Sequence, residues 1–178
     1  MEDIMESAYR ILDIEFNAAV AHLADKTARG VRIADIAPQT YEEVIYQIET
    51  HGVIVVWSGA SQHTIFGDPE TNYAFRAWHD WCHWCGKSDF SPSGETAAAY
   101  MQREQLIALY GDTPRTRRWC KIIEAEIIGQ IRYREQHGEF PIDQYAFVVD
   151  YLKASHAKNG ALAHGLTDCG ELCSHVKI

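Results

Sequence analysis

The segment NYAFRAWHDWCHWCG, residues 72–86, decides the fold because it has the repeat of a helix and carries an unusual polar stripe. On a helical wheel, where successive residues are about 100° apart, its polar side chains all fall within one arc of roughly 100°. These side chains are Asn72, Arg76, His79, Asp80 and His83. The rest of the wheel is aromatic, Cys or Ala, whereas a helix that faces water has a wide polar face. Because buried polar groups need partners, the stripe is predicted to face a site inside the protein.

The two histidines of the stripe have the spacing of a metal site. His79 and His83 lie one helical turn apart, so one ion can bind both imidazoles. Asp80 and His83 can share an ion in the same way, as carboxylate–histidine pairs do in helical bundles. The alternative is that both histidines are core residues that hydrogen-bond to carboxylates elsewhere. We predict a divalent ion here, either zinc, iron or manganese.

Further ligands must come from other helices. Glu126 and Gln130 lie one turn apart among isoleucines, which predicts that both face the core, where a carboxylate needs a cation or a donor. Glu95 follows SPSG in the first turn of another helix, and there it is either a site residue or a carboxylate stabilised by the helix dipole.

These positions receive specific predicted roles. The metal ligands are His79, His83 and Glu126. Asp80, Glu95 and Gln130 are the predicted catalytic residues. Arg76 and Asn72 are predicted to bind substrate, with the guanidinium holding an anionic group through two hydrogen bonds.

Three motifs together resemble an uncharacterised family of proteins from tailed bacteriophages and phage-derived cassettes. The motifs are NYAFRAWHDWCH, FSPSGETAA and EIIGQ, in this order over roughly residues 70–140. The resemblance implies that the shared positions form the site, and Cys82 stands where that family usually has Gly. It implies no particular reaction, because no activity is established for the family. The shared positions are Asn72, Phe75, Arg76, His79, Asp80, His83, Gly94, Glu95, Glu126, Gly129 and Gln130.

The chain as a whole is predicted to be a mostly α-helical α+β protein, a helical bundle with a small β-hairpin or short sheet. Helices are expected over 7–28, 40–52, 71–85, 93–110, 113–137 and 143–155. The segment VIVVWSG at 53–59 is the clearest strand; VRIADI at 31–36 is a second, and QHTIFG at 62–67 could form a hairpin with 53–59. We expect one globular domain over 1–157 and a loosely ordered tail over 158–178.

Charge and composition narrow the class of partner. The formal net charge of -9 argues against broad binding to nucleic acid, because the overall field repels polyanions. No segment has the roughly 20 apolar residues of a membrane span, and the acidic N-terminus does not have the order of a secretory signal. Five cysteines are an odd number and favour free thiols in the cytoplasm, which is the host cytoplasm if a phage encodes the protein.

Three other metal sites fit the sequence less well, and Cys82 and Cys85 are expected to be small core residues beside the tryptophans. His79-Asp80-x-x-His83 differs by one residue from the His-Glu-x-x-His helix of zinc peptidases, but the Asp is a methylene shorter. A His-Asp phosphohydrolase site would need an earlier His and a later Asp. The available positions are His51 or His63, and Asp143 or Asp150. A structural zinc would use the two pairs Cys82–Cys85 and Cys169–Cys173, with His164 and His175 nearby.

The sequence therefore predicts a metal-dependent hydrolase that acts on a small molecule such as a nucleotide or a modified base. No motif of a redox cofactor is present, and this favours hydrolysis. The alternative is a non-enzymatic binding or inhibitor protein of phage type, in which the buried polar stripe is structural.

Overall fold

The computed structural model of this chain describes residues 10–28 and 30–162, with the backbone alone for 156–162. It confirms a mostly helical α+β fold with a short sheet. The elements are α1 (Ile14–Thr27), β1 (Val31–Ala34), α2 (Tyr41–His51), β2 (Ile54–Trp57), α3 (Pro69–Gly86), α4 (Pro92–Tyr110), α5 (Pro114–Ile123), a π-helical segment (Glu124–Gly129), α6 (Gln130–His137) and α7 (Gln144–Leu162).

Helix α3 carries the polar stripe and has well-defined ends. It begins where the side chain of Asp68 accepts a hydrogen bond from the Thr71 amide at 2.7 Å, with Pro69 in the first turn. It ends at Lys87, whose φ of 50° lies in the left-handed region. Both ends agree with the helix predicted over 71–85.

Of the two predicted possibilities, a β-hairpin or a short sheet, the structure has the short sheet. β1 and β2 pair in parallel, with Val31 opposite Ile54, and α2 connects them. Two parallel strands need such a crossover, since a tight turn can join only antiparallel strands. Residues 62–67 form bends and turns instead of a strand. Ile65 and Phe66 of this segment are buried in the core, with 1% and 0% of their surface exposed.

Two apolar clusters hold α3 in the centre of the fold. Phe75 and Trp78 pack into the main core with Phe16, Phe66 and Trp119, and α1 and α4 both contact α3. A smaller cluster joins α3 to the sheet through Ala77, which packs against Ile54 and Val56. The residues of the polar stripe belong to neither cluster.

The predicted helix over 113–137 contains a π-helical segment in its middle. The segment packs against α4 and α7. A side chain at Gly129 would meet the ring of Tyr151 at 3.0 Å, so glycine allows α7 to approach closely. Single π turns inside helices frequently occur at functional sites.

Helix α7 runs to Leu162, beyond the helix end predicted at 155. Part of the predicted tail is therefore helical, and its residues 163–178 lie outside the described residues. No helix in the described part of the chain is both long and apolar enough to cross a membrane.

Candidate metal centre

Three side chains bring ligand atoms together at one point between α3 and α4. His79 Nε2 lies 3.0 Å from His83 Nε2 and 2.9 Å from Glu95 Oε2, and His83 Nε2 lies 3.4 Å from the same oxygen. Bonds of about 2.0–2.1 Å to a tetrahedral zinc ion would place ligand atoms roughly 3.3 Å apart. The three atoms thus already have nearly the spacing of three corners of a zinc site.

Each histidine is oriented by a second hydrogen bond at its other ring nitrogen. His79 Nδ1 donates to Gln102 Oε1 at 3.0 Å, and His83 Nδ1 donates to the backbone carbonyl of Ser88 at 2.9 Å. A neutral ring that carries its proton on Nδ1 has a free lone pair on Nε2. Metal-binding histidines are typically oriented in this way. Two such lone pairs 3.0 Å apart repel each other unless a cation or a proton lies between them.

The loop between α3 and α4 positions both Ser88 and Glu95. Ser91 caps α4 by accepting from the Gly94 amide at 3.2 Å. A side chain at Gly94 would lie 1.9 Å from the carbonyl oxygen of Asp89, so only glycine lets the loop turn back onto α4 here. Phe90 closes the far side of the site, with its ring edge-on to His83 at 4.8 Å between centroids.

The electrostatics of the centre favour an ionised carboxylate beside the histidines. When no metal is bound, a proton on a histidine Nε2 can hydrogen-bond to Glu95. Burial alone would raise the pKa of Glu95, but these contacts with His79 and His83 lower it to about 2. Burial opposes protonation of His79, yet the hydrogen bond and charge of Glu95 raise its pKa above the usual value. His83 is fully buried, with 0% of its surface exposed. The cluster therefore has one negative ligand and two imidazoles, which suits a divalent ion.

Asp80 lies next to this cluster and is half-buried. Burial raises the pKa of its carboxyl to about 6, although the charges of His79 and His83 act in the opposite direction. A carboxyl with a pKa near neutrality can exchange a proton with a reacting group.

The third ligand in this arrangement is Glu95, and the predicted ligand Glu126 lies elsewhere. Glu126 neighbours Gln130 and feels the charge of Arg76. Burial raises the pKa of Glu126 to about 8, and the nearby Gln130 and Arg76 offset this only in part. Glu126 Oε2 and Gln130 Nε2 are buried and have no hydrogen-bond partner among the described residues.

Arg76 and Asn72, which were predicted to bind substrate, hold the loop after β2. Arg76 donates to the carbonyl oxygens of Trp57, Gly59 and Ala60 at 2.9, 2.8 and 3.1 Å. Asn72 Nδ2 donates to Ser61 Oγ at 2.9 Å. Three of the five guanidinium hydrogens, including both on Nη1, are thereby bonded to backbone carbonyls. An anion could not form its two predicted hydrogen bonds through Nη1.

Sequence reasoning missed Gln102 and Ser88, the two residues that orient the histidines. The only sequence signal for Gln102 is a polar residue on the apolar side of α4, and in the structure its exposed fraction is 0%. Ser88 contributes its backbone carbonyl at 2.9 Å from His83 Nδ1 and its hydroxyl at 3.3 Å, and a lone serine in a loop gives no sequence signal of this role.

The His-Asp phosphohydrolase site is not assembled in the described part of the chain, whereas the peptidase motif uses the same His79 and His83 that lie beside Glu95. His79, His83 and Glu95 are the group of potential ligands found there. Cys82, Cys85 and Cys120 are free thiols, and Cys82 is buried in the core. The tail positions Cys169, Cys173, His164 and His175 lie outside the described residues.

No family model, curated protein or solved structure matches this chain.

Proposed function

We propose that the protein is a metal-dependent hydrolase that binds one divalent ion through His79, His83 and Glu95. The observation that supports this is the convergence of two Nε2 atoms and one carboxylate oxygen, with both imidazoles oriented by hydrogen bonds at Nδ1. Zinc fits this ligand set best, since nitrogen and carboxylate ligands in a three-residue set are typical of catalytic zinc. Iron and manganese remain alternatives to be distinguished by metal analysis.

The proposed reaction is hydrolysis of a small molecule such as a nucleotide or a modified base, in the cytoplasm. A divalent ion bound here supplies a Lewis acid that makes water a stronger nucleophile near neutral pH. Asp80 would take up a proton from the attacking water, because it is a half-buried carboxyl next to His79 and His83. Gln102 and the Ser88 carbonyl keep the histidines in the orientation that binding requires.

Metal analysis of purified protein tests the ligand set. The wild-type protein should contain close to one equivalent of zinc, iron or manganese after dialysis, and His79→Ala, His83→Ala and Glu95→Ala should each bind at least about tenfold more weakly. His22→Ala is the matched control, because His22 is exposed on α1 and should leave the metal content unchanged. Wild-type protein that takes up none of these ions would contradict the proposal.

Hydrolysis itself is tested with metal-loaded protein and a panel of nucleotides and modified nucleosides in ¹⁸O-labelled water. The expected result is one ¹⁸O atom in a product, and a strong loss of turnover in Asp80→Asn with the metal retained. Metal-loaded protein that transforms no member of the panel would favour the second candidate function.

That second candidate is a binding or inhibitor protein whose polar stripe is structural. The contacts of Arg76 and Asn72 with the loop after β2 favour it, since this half of the stripe is already used within the fold. Under this candidate, Asp80→Asn changes no reaction, and His79→Ala alters stability but no metal content. Metal content and turnover of the same variants therefore distinguish the hydrolase from the binding protein.

A further inference from the structure

Arg76 is a half-buried cation that forms no ion pair with a carboxylate of the described residues. Arginines that are more exposed do have such partners: Arg115 lies 3.1 Å from Glu15, and Arg117 lies 2.6 Å from Asp112. Burial lowers the pKa of Arg76, and the charges of nearby carboxyls offset this only in part. A charge held away from water without a counter-ion is costly, so an anion that reaches this guanidinium is stabilised there.

One edge of the Arg76 guanidinium has no hydrogen-bond partner among the described residues. Both hydrogens of Nη1 and one of Nη2 donate to the loop after β2. The Nε–H group and the second hydrogen of Nη2 remain, and these two nitrogens form the side edge of the planar group. Nε is absent from the buried unpaired atoms of the described chain, so solvent reaches it. Such an edge matches two oxygens of a phosphate or a carboxylate.

Asp80 connects Arg76 to the metal centre. The two residues are four positions apart on α3, where side chains one turn apart are neighbours. The carboxyl of Asp80 interacts electrostatically with Arg76 and also with all three proposed metal ligands. An anion on the side edge of Arg76 would therefore lie beside the metal centre.

The balance of charge at the centre suits an anion once a divalent ion is bound. The ion and Arg76 are positive, whereas Glu95 and Asp80 carry one negative charge each when ionised. Glu126, another carboxyl near Arg76, is mostly neutral at pH 7, because burial raises its pKa to about 8. The centre would thus have an excess of positive charge, although the whole chain has a formal net charge of -9.

We infer that the free side edge of Arg76 holds an anionic group of the substrate that presents two oxygens, as a phosphate or a carboxylate does. This inference rests on the proposed function, because it specifies the charge of the molecule on which the metal centre would act. It favours a nucleotide over a neutral base or nucleoside. The three bonds of Arg76 to backbone carbonyls fix the guanidinium before the anion arrives, which lowers the cost of binding.

Inorganic phosphate and acetate are the probes, and nuclear magnetic resonance of the ¹⁵N-labelled, zinc-loaded full chain is the measurement. The Nε–H signal of Arg76, assigned through its side-chain correlations, should shift in a saturable way as an anion is added at constant ionic strength. Saturation by phosphate alone identifies a phosphate-bearing substrate, saturation by acetate alone a carboxylate-bearing one, and saturation by both supports the shared chemistry. The Nε–H signal of Arg32, which is exposed on β1, is the control and should not saturate. No shift of Arg76 with either anion, or the same response at Arg32, would overturn the inference.

Phosphate and acetate can also bind to zinc itself, and Arg76→Lys separates the two contributions. Lysine keeps the positive charge but has no pair of parallel N–H groups. Affinity for the anion should fall at least about tenfold, with zinc content unchanged. Arg32→Lys is the matched control and should change neither quantity. Unchanged anion affinity in a folded Arg76→Lys means that zinc alone holds the anion, and the inference is then wrong.

Hydrogen exchange of the wild-type chain decides the question if Arg76→Lys does not fold. A bound anion should slow the exchange of the Arg76 Nε–H proton with solvent at least about tenfold, because that proton is then hydrogen-bonded. An anion that touches only zinc leaves the rate unchanged, which contradicts the inference.

Zinc content is recorded for each of these samples, so the two proposals can fail separately. Zinc binding without anion binding at Arg76 overturns only the anion site. Anion binding at Arg76 in a chain that takes up no metal overturns the proposed hydrolase and supports the anion site. If Arg76 only holds the loop after β2, Arg76→Lys should melt at a lower temperature with unchanged anion affinity, and the inference fails.

Discussion

At the scale of single residues, two carboxyls on the π-helical segment have opposite pKa shifts. Burial alone would raise the pKa of Glu124, but hydrogen bonds from Lys121 at 2.7 Å and the Tyr151 hydroxyl at 3.1 Å lower it. At Glu126, burial raises the pKa to about 8, because the neighbouring Gln130 and the charge of Arg76 offset the burial only in part. At pH 7 one carboxyl is therefore ionised and its neighbour is mostly neutral.

This difference predicts a pH-dependent effect of Glu126→Gln. The unfolded chain releases the Glu126 proton near pH 4.5 and the folded chain near pH 8, so the stability of the wild type falls between these values. The variant has no proton to release. Its free energy of unfolding should match the wild type near pH 4 and exceed it by about 2 kcal/mol at pH 8, a value discounted for the partial solvent access of Glu126.

Urea unfolding at several pH values, with a chelator present to exclude bound metal, measures the effect. Glu124→Gln is the control, and its effect on stability should have the opposite sign. The pKa of Glu124 is lower in the folded chain, so its charge stabilises the fold at pH values above the pKa of the unfolded chain, and this stability is lost as the pH falls. A constant difference between Glu126→Gln and wild type over the whole pH range would show that Glu126 is not a neutral buried carboxyl.

At the scale of elements, the loop from Lys87 to Ser91 connects the two helices of the metal centre. Its Ser88 carbonyl orients His83, and its Asp89 carbonyl touches α4 at Gly94, next to the ligand Glu95. Two contacts of one short loop thus set the positions of two ligands. The close approach at Gly94 is what fixes the loop against α4.

Gly94→Ala should therefore disturb both stability and metal binding. The new side chain would lie 1.9 Å from a backbone oxygen, which cannot rotate away, so we expect a loss of about 1–3 kcal/mol and weaker zinc binding. Gly86→Ala is the matched control, because its side chain would meet the flexible end of Met101 at 3.0 Å and the Ser88 hydroxyl at 3.7 Å, which is an ordinary contact. Thermal unfolding and zinc titration of both variants test this, and normal zinc affinity in a stable Gly94→Ala would disprove the role of the loop.

The elements also show what the sequence could predict about the site. The stripe on α3 was predictable, because residues three and four apart on one helix share a face whatever surrounds them. Choosing between Glu95 and Glu126 required knowledge of how α4 and the π-helical segment cross α3. Both carboxylates lie in patterns typical of inward-facing residues, and the local spacing contains no information on helix crossing. The same limit applies to the strands, because the pattern at 62–67 allows a hairpin, whereas in the structure Ile65 and Phe66 of this run belong to the core.

At the scale of the whole molecule, the apolar core is large compared with the metal centre. The main cluster of buried hydrophobic side chains, with Phe16, Phe66, Trp78 and Trp119, is built by α1, α3, α4, α5, the π-helical segment and α7. Helix α3 belongs to both, with its aromatic face in the core and its polar stripe in the site. The fold is thus expected to form without metal, in contrast to small zinc domains that unfold when the ion is removed.

Metal should consequently act as a stabilising ligand of an already folded protein. Zinc at 100 times its dissociation constant stabilises a folded chain by about 2.7 kcal/mol. For a protein of this size, this corresponds to a rise of about 5–11 °C in melting temperature. Circular dichroism of the chelated protein should show full helicity at 25 °C, and added zinc should raise the melting temperature by this amount. His79→Ala should show the same helicity and no rise with zinc. A chelated wild-type chain without helical structure would show that the metal is needed for folding, and an equal rise in His79→Ala would place the bound zinc outside this centre.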